Sequence, residues 1–250
     1  MIARILPPTV RSAFSRTDVP ESTLLPGEPD LVRNAVPKRR GEFTTARWCA
    51  RTALAELDIP PAPILTGERG APIWPTGIVG SMTHCNGYRA AAVARATDIT
   101  GVGIDAEEHG PLPDGVLKLV SLPAERTHLA KLATDHPDTW WERLLFSAKE
   151  SVYKVWFPQT GEWLGFEEAE LTFSPASPTT GSFHARLLRP GPFTELAGRF
   201  LVSDGIVVTA IVLPLPADRG STGGSAAGGG LAAGGGLAAG GGSVDGGSAA

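Results

Sequence analysis

Apolar positions along this chain switch between two spacings. From Glu42 to Leu57, the residues Phe43, Ala46, Ala50, Ala53, Leu54 and Leu57 recur three and four apart, which predicts a helix. Asp58 and the Pro60–Pro61 pair end it. Ile78–His84 and Arg89–Ala94 read as strands joined by a turn at Asn86–Gly87, and Gly101–Asp105 reads as a third strand. Helical spacing returns at Ala124–Thr134, behind Pro123. It recurs at Thr139–Trp156, where Trp140, Leu144, Leu145, Ala148, Val152 and Val155 carry the pattern and Pro158 predicts the stop. Ala169–Phe173, Phe183–Leu188, Arg199–Val202 and Ile206–Leu213 then read as strands. The last is rich in β-branched residues, which suits a central strand.

Two stretches lack either period. Residues 18–41 are rich in Pro, Glu, Asp and Arg. From Ala217 the chain becomes Gly, Ala and Ser with a repeated GGGLAA unit, and nearly half of the 31 glycines lie there. Such a segment has almost nothing to bury, so it is expected to be disordered and is set outside the fold. Helix plus sheet occurs once on each side of the middle. The expectation is an α+β fold of two similar lobes, 1–104 and 105–216, followed by the tail 217–250.

Composition narrows the function classes. The 250 residues fit one large domain or two small ones, and 42 % hydrophobic with 19 % charged residues is ordinary for a soluble protein with a real core. A net charge of −4 gives no general attraction to nucleic acid or membrane, so an anionic ligand has to be held by a local cluster of base. No segment reaches the roughly 20 apolar residues of a membrane span. The opening MIARILPPTV lacks the long apolar stretch of a secretory signal. Two isolated thiols, Cys49 and Cys85, suit a reducing compartment, and the expected location is the cytoplasm.

The candidate chemistry sits in a few segments. In Gly101-Val-Gly-Ile-Asp-Ala-Glu107, alternation along a strand points Asp105 and Glu107 the same way. Two carboxylates so close repel unless a proton or cation lies between them, and magnesium is commonly held by a few carboxylates with substrate phosphates. A solvated strand end fits the same short motif. In Phe146-Ser-Ala-Lys-Glu-Ser-Val-Tyr-Lys154, Glu150 and Lys154 share a helix face, as a surface ion pair would. The aromatic flanks Trp140, Trp141, Phe146, Tyr153, Trp156 and Phe157 instead predict a largely buried helix, whose charges need partners such as a metal and a phosphate. Arg39 and Arg40 precede the first helix, and Arg47 and Arg51 lie one turn apart on it. They suit either phosphate oxygens or a solvated basic face. Gly80-Ser-Met-Thr-His84 ends a strand with hydroxyls and an imidazole, Thr83 and His84 included, which suit an anion.

Three of these segments occur in a set order: Gly80-Ser-Met-Thr-His-Cys, Gly103-Ile-Asp-Ala-Glu and Phe-Ser-Ala-Lys-Glu-Ser-Val-Tyr-Lys154. Together they resemble the signature of the Sfp-type 4′-phosphopantetheinyl transferases. The match is closest to the subgroup that modifies carrier proteins of fatty-acid, polyketide and nonribosomal-peptide synthesis. Pro61–Gly70 and Val120–Arg126 also resemble that subgroup, and the resemblance covers about residues 33–215. It implies a pseudo-twofold monomer, with coenzyme A between two α+β lobes and its phosphopantetheine arm passed to a serine of an apo carrier protein, releasing 3′,5′-ADP. It implies that Asp105, Glu107 and Glu150 hold magnesium, with Asp105 also beside the ligand, and that Glu150 deprotonates the serine. Lys154 then contacts the diphosphate and assists the leaving group, with Lys149 as a neighbouring family lysine. Arg39, Arg47 and His84 match groups around the 3′-phosphate, with Thr83 beside His84, and Gly67, Arg69 and Gly70 match a loop beside the adenosine. Thr66 stands where relatives can carry lysine, so a contact made by that lysine is not expected here. The resemblance also implies a carrier that is acidic near the modified serine, and Gly115–Val120 with the following helix offers apolar residues beside Lys118, Arg126 and Lys131 for docking. Two other readings use parts of the pattern: a magnesium-dependent nuclease or phosphodiesterase, and a non-catalytic module that binds coenzyme A or carriers.

Overall fold

A computed structural model of the chain describes residues 1–216, and the expectation of disorder for the tail 217–250 lies outside the described residues. The fold is α+β, built on two antiparallel sheets. The smaller sheet orders its strands β1 (Arg11–Ser15), β3 (Tyr88–Arg95) and β2 (Ile78–Cys85). The larger orders β4 (Ile99–Glu108), β8 (Ile206–Pro214), β7 (Glu195–Ser203), β6 (Thr180–Leu187) and β5 (Ala169–Ser177). A short helix α1 (Glu28–Leu31) precedes α2 (Pro37–Ala55), which packs on the small sheet. α3 (Val116–Val120) and α4 (Pro123–Asp135) lead into α5 (Trp141–Thr160), which lies across β4 and β8. Position 104/105 falls inside β4, which pairs with β8 from Ile99 to Glu108 apart from an irregularity at Thr100.

The local chemistry explains where the elements begin and end. α2 starts five residues earlier than its apolar period, at Pro37, because Val36 is extended and proline's fixed φ and missing N–H suit a first helical position. The turn between β2 and β3 falls at Asn86–Gly87, with Gly87 at φ +71°. α5 does not stop at Pro158. That residue is exposed in the last turns, where one lost backbone bond is tolerated, and the helix ends at Thr160 with left-handed Gly161 donating to the Phe157 carbonyl at 2.8 Å. The strand β1 is too short and mixed (Arg-Ser-Ala-Phe-Ser) to show a period, and its pairing with β3 defines it. β8 is interior to its sheet, as its β-branched content predicts.

Apolar burial sits in three clusters. One lies between α4, α5 and the large sheet around Trp141, Trp156, Phe173 and Phe200. A second joins the N-terminal turn to β3, β4 and β8, and a third seats α2 on the small sheet. The two sheets meet where β2 runs beside β4. No backbone ladder closes that seam; hydroxyls do. Ser81 Oγ accepts from the Ile104 N–H at 3.1 Å, and Thr83 Oγ1 accepts from the Ala106 N–H at 3.0 Å. The increments match in sign and size, so the strands run parallel there, and β2 delivers its residues beside the acids of β4.

Candidate active site

β4 turns Gly101, Gly103, Asp105 and Glu107 to one face, and α5 lies against that face. The approach is close enough that a Cβ on Gly103 would stand 2.3 Å from the Ser151 carbonyl oxygen. Small residues on the helix make this possible. Buried Ser147 and Ser151 meet Thr209 of β8 at 3.0 and 2.6 Å, so their hydroxyls are satisfied without side-chain bulk. The short distance lets charged side chains of α5 reach β4. Lys154 Nζ donates to Asp105 Oδ1 at 2.7 Å, and Arg143 Nη1 donates to Glu107 Oε2 at 3.1 Å. Glu150 lies between Arg143 and Lys154 along the helix, seven residues after the one and four before the other, spacings that share a face.

The carboxylates are electrostatically crowded. Burial, then the neighbouring Asp105, pushes Glu107 up to about 7, with Arg143 opposing. Glu150 is also raised, chiefly by burial. Lys154 lowers it and Asp105 adds to the rise. Asp105 is 4 % exposed, and its Oδ1 receives both Lys154 and the Thr83 hydroxyl, the latter at 3.1 Å. Its Oδ2 is buried with no hydrogen-bond partner among the described residues. Buried polar atoms are seldom left so. An orphaned anionic oxygen beside two acids of raised pKa fits a hard divalent cation such as magnesium. As the side chains stand, no three acidic, histidine or cysteine residues among those described enclose a metal position. Lys154 holds one oxygen of Asp105, and Arg143 one oxygen of Glu107.

Next to these acids opens a cavity of about 280 Å³ whose other wall is basic. α2 presents Arg39, Phe43 and Arg47 at four-residue spacing, so all three line one side. Arg47 is buried over the Phe43 ring, 3.2 Å from its centroid. Its Nε donates to the Ile64 carbonyl and its Nη2 to Thr66 Oγ1. Burial lowers its pKa to about 10, still leaving it cationic at neutral pH. Arg39 Nη1 lies 2.5 Å from His84 Nε2, while His84 Nδ1 stands 3.4 Å from Glu42 Oε2. An arginine can only donate, so His84 Nε2 is the acceptor and its proton sits on Nδ1. Burial first, then Arg39, Lys154 and Arg89, pushes His84 down to about 4. Arg69, at φ +51°, and Gly70, at φ +82°, bring the 66–72 loop to the cavity rim, and the Arg69 guanidinium stands 5.6 Å from the Trp163 ring.

The structure therefore gathers Arg39, Arg47, Arg69, Gly70, His84, Glu150 and Lys154 around one cavity. Asp105 and Glu107 stand behind Lys154 and Glu150. Other expected residues sit elsewhere. Thr83 is buried and spends its hydroxyl on Asp105 and β4, so it orders the acid and does not face the ligand space. Gly67 acts as a turn residue, its N–H donating to the Ala71 carbonyl at 2.8 Å. Lys149 is 3 % exposed, and its ammonium is filled by Glu125 at 2.9 Å and by the Phe166 and Ala169 carbonyls. Arg51 pairs with buried Glu28 at 2.7 Å and Arg40 with Glu21, so neither joins the basic wall. Ser81, one of the hydroxyls expected to suit an anion, lines the cavity, and Tyr153, which also lines it, was not expected there. Tyr153 is three residues from Glu150, a spacing that places both on one face and was the available signal.

Comparison with known proteins agrees with this geometry. Residues 27–94 match the 4′-phosphopantetheinyl transferase N-terminal domain, and residues 101–200 match the 4′-phosphopantetheinyl transferase superfamily domain. The chain is 53 % identical over 237 residues to the 4′-phosphopantetheinyl transferase Svp of Streptomyces mobaraensis, covering 91 % of this chain and 95 % of the relative. It is 50 % identical over 224 residues to the 4′-phosphopantetheinyl transferase PptT of Mycobacterium tuberculosis, covering 85 % and 98 %. Enterobactin synthase component D of Salmonella typhi is 32 % identical over 143 residues, covering 57 % of this chain and 58 % of the relative. A chain with the basic cleft, the acid strand and the lysine-bearing helix, and with half its residues identical to such relatives over most of their length, belongs to the 4′-phosphopantetheinyl transferase family.

Proposed function

We propose that the chain carries the 4′-phosphopantetheine arm of coenzyme A to a serine of an apo acyl or peptidyl carrier protein, in a magnesium-dependent reaction that releases 3′,5′-ADP. The observation that carries this reading is one cleft with three arginines and a histidine on one wall and Glu150 with Lys154 on the other, where Lys154 is paired in turn with Asp105 of the acid strand. Arg39, Arg47 and His84 are assigned to the 3′-phosphate, and Arg47 retains Nη1 as a donor beyond those already committed. Arginine forks match phosphate oxygens, and a positioned pair of them fixes the ligand's direction in the cleft.

Phosphoryl transfer is mostly alignment and neutralisation of oxygen charge. Asp105, Glu107 and Glu150 would hold the magnesium ion, which when bound supplies Lewis-acid polarisation of the diphosphate. The serine Oγ attacks the β-phosphorus, and the bond from that phosphorus to the oxygen of 3′,5′-ADP breaks. Glu150 takes the hydroxyl proton. Its raised pKa brings it closer to the working pH, which suits a general base. Lys154 shifts from Asp105 to the departing phosphate oxygen and offsets its charge. The carrier is assigned to α3 and α4. Leu119 is 78 % exposed there beside Lys118, while Arg126 is tied to the Ser121 carbonyl at 2.7 Å and contributes less.

The same reading takes the chain as a cytoplasmic monomer with two lobes, 1–104 and 105–216. Free Cys49 and Cys85 suit a reducing compartment, and among the described residues no helix is long and apolar enough to cross a membrane. The test is incubation with coenzyme A and an apo carrier. A mass gain on the carrier with stoichiometric 3′,5′-ADP, lost on chelation and restored by magnesium, is expected. Undiminished transfer in excess chelator would refute the magnesium assignment, and no transfer to any carrier would refute the reaction.

A further inference from the structure

We infer that Arg143 is a positioning residue: it orients Glu107 toward the acid cluster and ties that carboxylate to the chain entering the carrier-docking helix. The inference rests on the magnesium reading above. Lys154 and Arg143 form matching ion pairs from α5 to β4, on either side of Glu150. The two cations differ in what else they hold. Lys154 has Asp105 as its one hydrogen-bond partner among the described residues and can leave it for a phosphate. Arg143 is anchored. Its Nε donates to the Gly110 carbonyl at 3.3 Å, and its Nη2 donates to the Pro111 carbonyl. Both donors and the one to Glu107 belong to a single planar fork.

A guanidinium fixed by two carbonyls cannot follow Glu107 away, so it sets where that carboxylate points. It takes Oε2, and Oε1 has no hydrogen-bond partner among the described residues. The pair is mostly buried, with side-chain exposures of 17 % for Arg143 and 22 % for Glu107, so solvent does not compete strongly for either group. The same fork fixes Gly110 and Pro111, the chain from β4 into α3, whose Leu119 is the most exposed large apolar side chain described. One residue thus orders a metal-binding acid on one side and the approach to the docking helix on the other. Outer partners that orient a metal-binding side chain commonly change metal affinity by about 10- to 100-fold when removed.

The test uses manganese as a paramagnetic substitute for magnesium, with free ion read by electron paramagnetic resonance and no turnover involved. Wild type is expected to bind, and Arg143→Ala to bind about tenfold or more weakly. Arg143→Lys keeps the charge but not the fork. It should also lose affinity while melting near wild type, which separates orientation from unfolding. In a Glu107→Gln background, Arg143→Ala should have no further effect on manganese, an outcome a merely structural role would not give. The Michaelis constant for the carrier should rise in Arg143→Lys, with metal-free coenzyme A binding unchanged. Equal manganese affinity in wild type and Arg143→Lys overturns the inference and spares the magnesium reading. Tighter binding in Arg143→Ala overturns it too, since Arg143 would then be withholding Glu107. Failure of wild type to bind manganese sinks the magnesium reading and the inference with it.

Discussion

Gly103→Ala tests whether close seating of α5 on β4 builds the site. The added Cβ would meet the Ser151 carbonyl oxygen at 2.3 Å, Val155 Cγ2 at 2.7 Å and the Val155 nitrogen at 3.0 Å. Two of these atoms are helix backbone, so no rotamer change relieves them and the helix itself must move by about 1 Å. Overpacking of this kind costs about 1–3 kcal/mol. Alanine regains about 0.5–1 kcal/mol because glycine loses more chain entropy in a strand. A net loss of roughly 1–2 kcal/mol lowers the melting temperature by about 2–8 °C for a protein of this size. Catalysis should suffer more than stability. The displaced helix carries Glu150 and Lys154, and a misplacement of about 1 Å can cost on the order of 100-fold in rate. Gly101→Ala is the control, because its Cβ would meet only the Gln159 side-chain nitrogen at 3.1 Å and the Leu213 side chain at 3.3 Å, and both can give way. The assays are thermal denaturation and single-turnover transfer with saturating coenzyme A. A Gly103→Ala protein with the rate and melting temperature of Gly101→Ala would refute the argument.

Lys149→Met should lower stability by about 3–5 kcal/mol because it strands the buried Glu125 carboxylate, whereas the double variant Lys149→Met with Glu125→Gln should recover part of it in urea denaturation. Coenzyme A affinity in that double variant should stay within a few-fold of wild type, since the Lys149 ammonium faces Glu125 and two carbonyls. For His84, the folded pKa of about 4 lies below its ordinary value, so between about pH 4 and 6.5 the unfolded chain binds the proton and the folded ligand-free chain does not. Stability without ligand should therefore fall as pH drops through that window, less steeply in His84→Gln. Bound phosphate should raise the pKa again, giving proton uptake on coenzyme A binding near pH 5.5, measured by calorimetry in buffers of different ionisation enthalpy.

How much of this was legible in the sequence differs by kind of interaction. The β2–β3 hairpin was readable because alternation and an Asn-Gly turn are local signals, and structure and expectation agree there almost to the residue. The neighbourhood of Asp105, Glu150 and Lys154 was readable because strand and helix periods each fix a face. Partnerships between distant segments were not. Nothing in the spacing says that Arg143 meets Glu107, although Arg143, Glu150 and Lys154 share a helical face, which is the signal that could have raised it. Lys149 and Glu150 are adjacent, and only the fold shows the first turned into the body toward Glu125 and the second to the cleft. Thr83 looked like an anion donor because its role in the β2–β4 seam depends on which strands become neighbours.

The distribution of charge across the cleft does more than attract the ligand. The chain is net acidic, yet Arg39, Arg47 and Arg69 stand on the wall made by α2 and the 66–72 loop, while Glu150 and Lys154 stand on the wall made by α5, which is joined to Asp105 and Glu107 of β4 through Lys154 and Arg143. An anion entering at random is drawn to the first wall and repelled from the second unless a cation lies between. On the proposed reading, a ligand with anionic groups at two places would set its free-standing phosphate among the arginines. Its diphosphate would then lie by Lys154. The reverse orientation would set the free-standing phosphate against Glu150 in a partly buried site and leave fewer arginines for it, and like charges a few ångströms apart are unfavourable. On the proposed reading, polarity across the cleft sets the direction of binding, and the reacting phosphorus would come to the side that carries Glu150.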